Sequence, residues 1–462
     1  MSRLAMRSVL MLAAIAALWG CSSIQQPFPS SLNDVAQSAP AQRELPIEQW
    51  HTDAGSKVLF VASPNLPIVD VRVVLDGGSA RDGDLPGVAS LTSALIGEGA
   101  SGLSVDDIAR GFEDLGVNFA SSSYRDMAVV EMRSLSDSEF LDPALDLFAR
   151  VIGKADFPPK ALERIRAQRL TGLQQEKQVP GPQVGKAFNR VLFGAHPYAH
   201  PSEGNEESVA SIKRADLVNF WRRYYTGGNA VIAITGDLTR AEAEALAARV
   251  SSALPAGDAA PALDRATPLT VREVTHLEFD SAQTIVLMGN QSIWRGHPDW
   301  VPLYVGNQIL GGGGFGSILT DVVREEKGFV YGIGSGFSPM AAAGPFTVQF
   351  STGNDTAEEA LAITLELITD FVEKGPTQKQ LDDTIANIVG SFPLRNAEND
   401  DIVGQLGAIG FYDLPSDYLQ WFEAEVRKVT VEDIRAAFQR NVDPATLAIV
   451  TIGPKAPVIP TR

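Results

Sequence analysis

The chain has 462 residues, more than the roughly 250–300 residues at which a single hydrophobic core stops growing, so two or more domains are expected. Hydrophobic residues make up 45% of the sequence and charged residues 20%, which excludes a largely disordered chain and a multi-span membrane protein. The formal net charge of -18 argues against a nucleic-acid partner, because such binding depends on Lys and Arg neutralising phosphates.

The N-terminus has the pattern of an export signal. Arg3 and Arg7 precede an apolar run, residues 8–19, that is too short to span a bilayer as a helix. The run leads into Leu-Trp-Gly-Cys at Cys21, which resembles a bacterial lipobox, where the cysteine is diacylated and becomes the new N-terminus. Cys21 is the only cysteine, so it cannot form an internal disulfide. The alternative is an incidental thiol in an ordinary leader.

These features predict a lipoprotein signal peptide at 1–20 and a flexible tether at 21–45, which is rich in Ser, Gln and Pro. Ser22 follows the cysteine, and in enteric-type sorting a residue other than Asp at this place favours the outer membrane. The predicted location is the bacterial cell envelope, as a periplasm-facing lipoprotein held at the outer membrane by its lipid anchor.

Periodic patterns then predict mixed helices and strands. Apolar residues alternate over 69–75, as on a half-buried strand. Ser104 and Asp107 match a capping box that opens an amphipathic helix, and Thr356 and Glu359 match a second one.

An internal repeat divides the chain. A helical pattern at 213–221 is followed by an apolar strand at 230–237, and the same order recurs at 429–438 and 446–454. Each strand pattern ends in glycine and a breaker, so the two units are interpreted as copies of one supersecondary structure.

A linker is predicted between the copies at 256–267, because this stretch has no periodic apolar pattern and prolines lie in and beside it. The predicted domains are therefore 46–255 and 268–460, both within the usual size range. The predicted fold class is α+β, with two similar, duplicated domains of antiparallel-leaning sheet and packed amphipathic helices. Strand order is left open.

The first half resembles the N-terminal domain of the inverzincin metallopeptidases, the family of pitrilysin, insulinase and the mitochondrial processing peptidase. The resemblance rests on residues 78–89, on the His-Pro-Tyr turn at 196–204 and on the helix–strand unit ending at Asp237. The metal motif of that family is H-x-x-E-H on a helix, with two His ligands for zinc and a Glu that activates its water. The five corresponding residues here are Ser90, Leu91, Thr92, Ser93 and Ala94.

The third zinc ligand of the family is a Glu, and its position corresponds to Leu170 when Glu163 and Arg164 are matched to the family's Glu-Arg pair. The next carboxylate, Glu176, is six residues out of register. Zinc needs N, S or O donors that Ser, Ala and Leu do not supply in the family's manner. The resemblance therefore implies no metal ligands and no cofactor in this chain, with zinc expected in a partner subunit.

His196 and His200 lie four residues apart, as two metal ligands on one helix face would. A proline follows each of them and disfavours helical geometry, so a structural turn is predicted instead of a metal site.

The second half resembles the family's C-terminal domain over 307–319 and 323–332. In active family members an Arg and a Tyr seven residues apart in this segment reach across to the zinc domain, and Arg324 and Tyr331 match that pair. A guanidinium or a phenol can stabilise the negative charge that develops on an attacked peptide carbonyl. The residues alone would favour an Arg paired with a neighbouring Glu and a Tyr packed in a strand. The glycine-rich run at 311–316 lacks the Lys-Ser/Thr of a P-loop. In the mitochondrial processing peptidase such a loop of the zinc-less subunit contacts substrate, but a tight strand-to-helix turn explains this shorter run equally well.

The resulting hypothesis is a non-zinc subunit of a heterodimeric zinc metallopeptidase. Arg324 and Tyr331 would contribute peptide binding and oxyanion stabilisation to the site of a homologous subunit that carries H-x-x-E-H, and neither chain would be a competent peptidase alone. The alternative is a catalytically inactive peptide-binding or scaffold lipoprotein of the same fold. The expected partners are the homologous subunit, a peptide substrate and a membrane reached through the lipid anchor.

Overall fold

The computed structural model describes residues 45–392 and 397–459, so the predicted signal peptide, Cys21 and the predicted tether up to residue 44 lie outside the described residues. The first large sheet has the strand order β1-β2-β8-β3-β7-β6. Its strands are β1 (Glu48–His51), β2 (Lys57–Ala62), β3 (Ile68–Leu75), β6 (Asn118–Ser123), β7 (Ala128–Leu135) and β8 (Ala230–Gly236), and a separate ribbon is made of β4 (Gly99–Ala100) and β5 (Leu103–Ser104).

The second large sheet has the strand order β11-β12-β10-β13-β9. Its strands are β9 (Glu273–Glu278), β10 (Gln283–Gln291), β11 (Val330–Phe337), β12 (Pro345–Gly353) and β13 (Ala448–Gly453). The order β2-β8-β3-β7-β6 of the first sheet is repeated by β9-β13-β10-β12-β11. In each sheet one pair is parallel, β2 with β8 and β9 with β13, and the other pairs are antiparallel. The prediction of an α+β fold with two similar, antiparallel-leaning halves is confirmed.

Helices pack on both sheets. Those of the first half are α1 (Val88–Leu95), α2 (Val105–Glu113), α3 (Ser138–Gly153), α4 (Pro159–Glu176), α5 (Pro180–Phe193), α6 (Glu206–Ser211), α7 (Arg214–Tyr224) and α8 (Arg240–Ala253). Those of the second half are α9 (Trp300–Asn307), α10 (Ala357–Lys374), α11 (Gln378–Ser391), α12 (Asn399–Phe411), α13 (Tyr418–Val426) and α14 (Val431–Asn441). The repeated helix–strand units are α7 with β8 and α14 with β13. Within residues 45–392 and 397–459, no helix is long and apolar enough to cross a membrane.

The two predicted capping boxes have different outcomes. Ser104 caps α2, with its hydroxyl and the Asp107 side chain each accepting the other's backbone N–H, as predicted. The box at Thr356 is wrong, because its side chain makes no cap hydrogen bond. The Thr356 hydroxyl donates instead to the Gly353 carbonyl at 3.1 Å and lies 2.7 Å from the Thr352 hydroxyl. Because it is bonded to the end of β12, this hydroxyl does not cap α10.

The two halves exchange one helix each. Helix α5, from the first half, packs on β10 and β13 of the second sheet, and α12, from the second half, packs on β2, β3 and β8 of the first sheet. The buried residues at the α12 contact are Leu59, Val61, Val74, Val231, Ala233, Ile402, Val403, Leu406 and Ile409. The buried residues at the α5 contact include Val184, Phe188, Leu192, Leu287, Val450 and Ile452. Each sheet therefore depends on the other half for part of its core.

Glycine lets α12 approach its sheet closely. A Cβ atom at Gly410 would lie 2.4 Å from Val231 Cγ1 and 2.6 Å from Leu59 Cδ1, and one at Gly407 would lie 3.1 Å from Val74 Cγ2. The contacts at Gly410 are shorter than van der Waals packing permits, and the contact at Gly407 is tight, so this face of α12 has no room for a side chain at Gly410 and little at Gly407.

Candidate functional site

The segment that corresponds to the metal motif forms helix α1, and a buried carboxylate holds its N-terminus. Asp82 accepts hydrogen bonds from the backbone N–H groups of Gly87 at 2.7 Å and Ala89 at 2.8 Å. Burial raises the pKa of Asp82 to about 7, although these two hydrogen bonds and the Arg125 guanidinium favour its charged form. Asp82 therefore fixes the N-terminus of α1. The polar side chains of α1 are hydroxyls and not the imidazoles and carboxylate of the metal motif.

The first motif position is occupied by a hydrogen-bonded Ser90 beside a guanidinium. The Ser90 hydroxyl donates to Glu203 at 3.0 Å and accepts from Arg169 at 3.0 Å, and Arg169 also pairs with Glu203. Ser93, at the position of the family's Glu, lies 2.8 Å from the Ser121 hydroxyl. These contacts place an internal cation against the helix where the family binds a metal.

The position of the third ligand is also occupied by a residue that cannot bind zinc. Leu170 is half-buried and packs against the core of the first half, and Glu176 pairs with Lys186. Within residues 45–392 and 397–459, no group of three or more His, Cys, Asp or Glu is arranged to hold a metal ion. The donor set around α1 therefore does not fit a zinc ion.

The His-Pro-Tyr turn packs against the start of α1. A Cβ atom at Gly204 would lie 2.4 Å from the Pro86 carbonyl, and the Ser208 hydroxyl donates to that carbonyl at 2.7 Å. His196 accepts from the Tyr198 backbone N–H at 3.2 Å. His200 lies 3.3 Å from the Pro201 carbonyl, and burial lowers its pKa. Both imidazoles therefore contact the backbone of the turn, as the structural-turn prediction requires.

Arg324 and Tyr331 lie beside each other. The Arg324 Cζ atom is 5.4 Å from the centroid of the Tyr331 ring, and the guanidinium is 3.4 Å from the Glu325 carboxylate. Tyr331 is the second residue of the edge strand β11, and the strand register shifts between Val330 and Ile333. The interval contains Tyr331, whose side chain is 89% exposed. The simple expectation of a tyrosine packed in a strand is therefore wrong, whereas the Arg–Glu pair is present.

Phe315 joins this pair, and the sequence reasoning did not select it. Its ring centroid lies 4.5 Å from Arg324 Cζ, on a side chain that is 76% exposed. An aromatic residue inside a glycine-rich loop was the available signal, because loops that contact ligands often carry one exposed ring. We name Phe315, Arg324 and Tyr331 the aromatic–arginine cluster. In the described part of the chain, no hydrogen bond or ion pair joins this cluster to α1.

A groove of about 700 Å³ runs along β11 from Tyr331 and is also lined by residues of β12 and by Gln283 of β10. One side of β11 has no neighbouring strand among the described residues. An edge strand presents backbone N–H and C=O groups that can pair with an extended peptide. The geometry combines a peptide-sized groove, a guanidinium and a phenol at one edge of the second sheet.

Comparison with known proteins relates this arrangement to one family. Residues 57–201 match the family described as Insulinase (Peptidase family M16), and residues 211–388 match the one described as Peptidase M16 inactive domain. A Helicobacter pylori protein named non-peptidase homolog YmxG is 25% identical over 85% of this chain and 91% of its own length. The periplasmic protease PqqL from Escherichia coli shares the fold, with a TM-score of 0.74 and 16% identity over 90% of this chain and 47% of PqqL.

The crystal structure of a peptidase M16 inactive domain from Pseudomonas fluorescens is more similar in sequence. The match extends over 90% of this chain and 100% of the Pseudomonas fluorescens chain, with a TM-score of 0.87 and 43% identity. Such identity over nearly the whole described fold, together with the two family matches, shows that the chain belongs to peptidase family M16, the insulinase family.

Proposed function

We propose that this chain is the non-zinc subunit of a heterodimeric M16 peptidase, and that its aromatic–arginine cluster acts in the site of a zinc-bearing homologous subunit. The observation that carries the proposal is an exposed Tyr331 beside a partly buried Arg324, a matched pair on a chain whose own motif helix has no metal donors. Tyr331 is 89% exposed, so a partner or a peptide that covers its ring gains the free energy of burying that apolar surface.

The chemistry of the cluster suits peptide hydrolysis in another chain's site. A phenol hydroxyl donates one hydrogen bond, and among the described residues none is bonded to the Tyr331 hydroxyl. The Arg324 guanidinium has one adjacent carboxylate, Glu325 at 3.4 Å, and retains further N–H donors for a peptide carbonyl. When bound in the partner, zinc supplies the activated water, and this chain supplies donors for the negative charge on the carbonyl oxygen.

The proposal includes attachment to the cell envelope. Cys21 would be acylated, so that the folded part faces the periplasm from the outer membrane on a flexible tether. The name of PqqL describes that similar protein as periplasmic, which agrees with this location.

The test is peptide hydrolysis by this chain reconstituted with an H-x-x-E-H homologue. Tyr331→Phe and Arg324→Ala should each lower turnover by about 10²–10³, as loss of an oxyanion donor does, while co-purification of the two chains stays unchanged. Tyr124→Phe and Arg222→Ala serve as matched controls, because both residues are exposed on the first half. Each chain alone should be inactive.

Full turnover in both Tyr331→Phe and Arg324→Ala would remove the catalytic role. If the complex forms normally and its turnover does not depend on the cluster, the alternative is favoured, a catalytically inactive peptide-binding or scaffold lipoprotein.

A further inference from the structure

A second cavity, of about 850 Å³, lies in the second half and shares no residue with the aromatic–arginine cluster. Three segments form it: the loop between β10 and α9 with the first residue of α9, the turn before β12, and the stretch from the end of α12 to the start of α13. Three of the chain's six tryptophans line it. Its aromatic lining residues are Trp294, Trp300, Phe411, Tyr412, Tyr418 and Trp421.

Arg295 is the basic residue of this cavity that has no acidic partner. Its Nε atom is buried without a hydrogen-bond acceptor, and no ion pair joins its guanidinium to any carboxylate of the described residues. The Cζ atom lies 5.4 Å from the Tyr412 ring centroid and 5.7 Å from that of Trp300. In a chain with 56 acidic and 38 basic residues, an arginine without a carboxylate at a cavity wall needs a physical reason.

The carboxylates nearest in the lining are engaged elsewhere or lie at the mouth. Asp413 pairs with Lys57 at 2.7 Å, and Asp417 is exposed. His297 is neutral near pH 7, because burial lowers its pKa, and its Nδ1 atom already accepts from the Asp299 backbone at 3.0 Å. The interior of the cavity therefore has one uncompensated positive charge, on Arg295.

The wall behind Arg295 is held rigidly. The Tyr412 hydroxyl donates to the buried Asp126 carboxylate at 3.1 Å, and Asp126 also accepts from the Ala341 backbone N–H at 2.7 Å and from the Tyr198 hydroxyl. Because Tyr412 and Ala341 both line the cavity, these bonds fix two walls before any ligand enters. A preorganised, mostly aromatic cavity within the ~300–1,000 Å³ range of small-ligand sites is suited to binding.

We propose that this cavity binds a carboxylate carried on an apolar or aromatic group, and that its ligand is the C-terminal end of a short peptide. The Arg295 guanidinium would take the terminal carboxylate through two parallel N–H···O bonds, and the aromatic walls would cover the last side chains. The lining suits a peptide better than an alkyl chain, because the exposed Asp417 carboxylate can accept a hydrogen bond from a peptide N–H.

The experiment measures binding to this chain alone, so its outcome is independent of the proposed heterodimer. The probes are the peptide acetyl-Ala-Phe-Leu with a free C-terminal carboxylate, the same peptide as its C-terminal amide, and decanoate. Binding is followed by calorimetry and by the fluorescence of the tryptophans that line the cavity. We expect the free acid to bind about 10–100-fold more tightly than the amide, the range for a charge-assisted hydrogen bond.

Two variants and a control make the assignment specific. Arg295→Gln should make acid and amide bind equally, and Trp421→Ala, which removes a wall that is 40% exposed, should weaken both probes. Arg222→Gln, an exposed arginine on α7, should change neither. Unfolding curves confirm that each variant is folded.

The proposal is overturned if acid and amide bind the unmodified chain equally, if neither binds at millimolar concentration, or if Arg295→Gln keeps the preference. Tighter binding of decanoate than of the peptide acid would overturn the assignment to peptide ends.

Discussion

Leu406→Ala should destabilise the whole fold, although Leu406 lies in the second half and its contacts lie in the first sheet. The side chain is 0% exposed at the contact of α12 with β2, β3 and β8. Large-to-small changes in a core cost the transfer free energy of the lost atoms and the free energy of the cavity, about 2.7–5 kcal/mol for Leu→Ala. Gly407 and Gly410 flank the site without side chains that could fill the space, so we expect about 3–5 kcal/mol.

The assay is equilibrium unfolding in urea, followed by circular dichroism, with hydrogen exchange of the β8 amides as a local readout. Asp401→Ala is the control, because Asp401 is exposed on the same helix and its loss should cost less than about 1 kcal/mol. Leu406→Ala should also speed exchange in β8, since the helix covers that strand. A loss no larger than that of Asp401→Ala, with unchanged exchange in β8, would refute the exchange of helices between the halves.

Three further predictions concern pH, metal content and attachment. Because burial raises the pKa of Asp82 to about 7, the folded state holds this proton more tightly than the unfolded chain, so stability should fall by up to about 1.4 kcal/mol per pH unit from about pH 4 to 7. Asp82→Asn should make the fall shallower without abolishing it, because burial also raises the pKa values of Asp70 and Asp126, and parallel stability curves for both proteins would contradict the assignment to Asp82. Elemental analysis should find no stoichiometric zinc in the purified chain, because hydroxyls and Arg169 surround α1; one zinc per chain that is lost on replacing His196 and His200 would show that the motif register is wrong. Cys21→Ala should leave an unprocessed or soluble precursor without lipid label, and unchanged membrane pelleting with no label on the parent protein would indicate ordinary secretion.

Local sequence patterns predicted the elements that depend on neighbouring residues. The Ser104 capping box and the repeated helix–strand units are confirmed, because caps and apolar periodicity act within a few residues. Thr356 has the same pattern, yet its hydroxyl donates a hydrogen bond to the Gly353 carbonyl at the end of β12 and does not cap the helix. A capping signal predicts a helix start only where no other acceptor is close, and sequence spacing does not report that.

The aromatic–arginine cluster was predictable in part. The family resemblance selected Arg324 and Tyr331, and the structure places them together, with Phe315 as a third member. Their roles in a partner's site stay a proposal, as do the domain boundaries and the lipid anchor. The Arg295 cavity gave no sequence signal, because its three segments are loops and helix ends without a motif.

The sequence by itself determined that the chain has two similar α+β halves and that its metal motif lacks donors, because periodicity and residue chemistry are properties of short segments. Only the tertiary structure decided which surface each amphipathic helix covers. The apolar faces of α5 and α12 require burial, but burial is non-directional, so their own sheet and the other half's sheet would satisfy it equally. Close approach decided the outcome for α12, whose Gly410 contacts Val231 and Leu59 of the first sheet where no side chain fits.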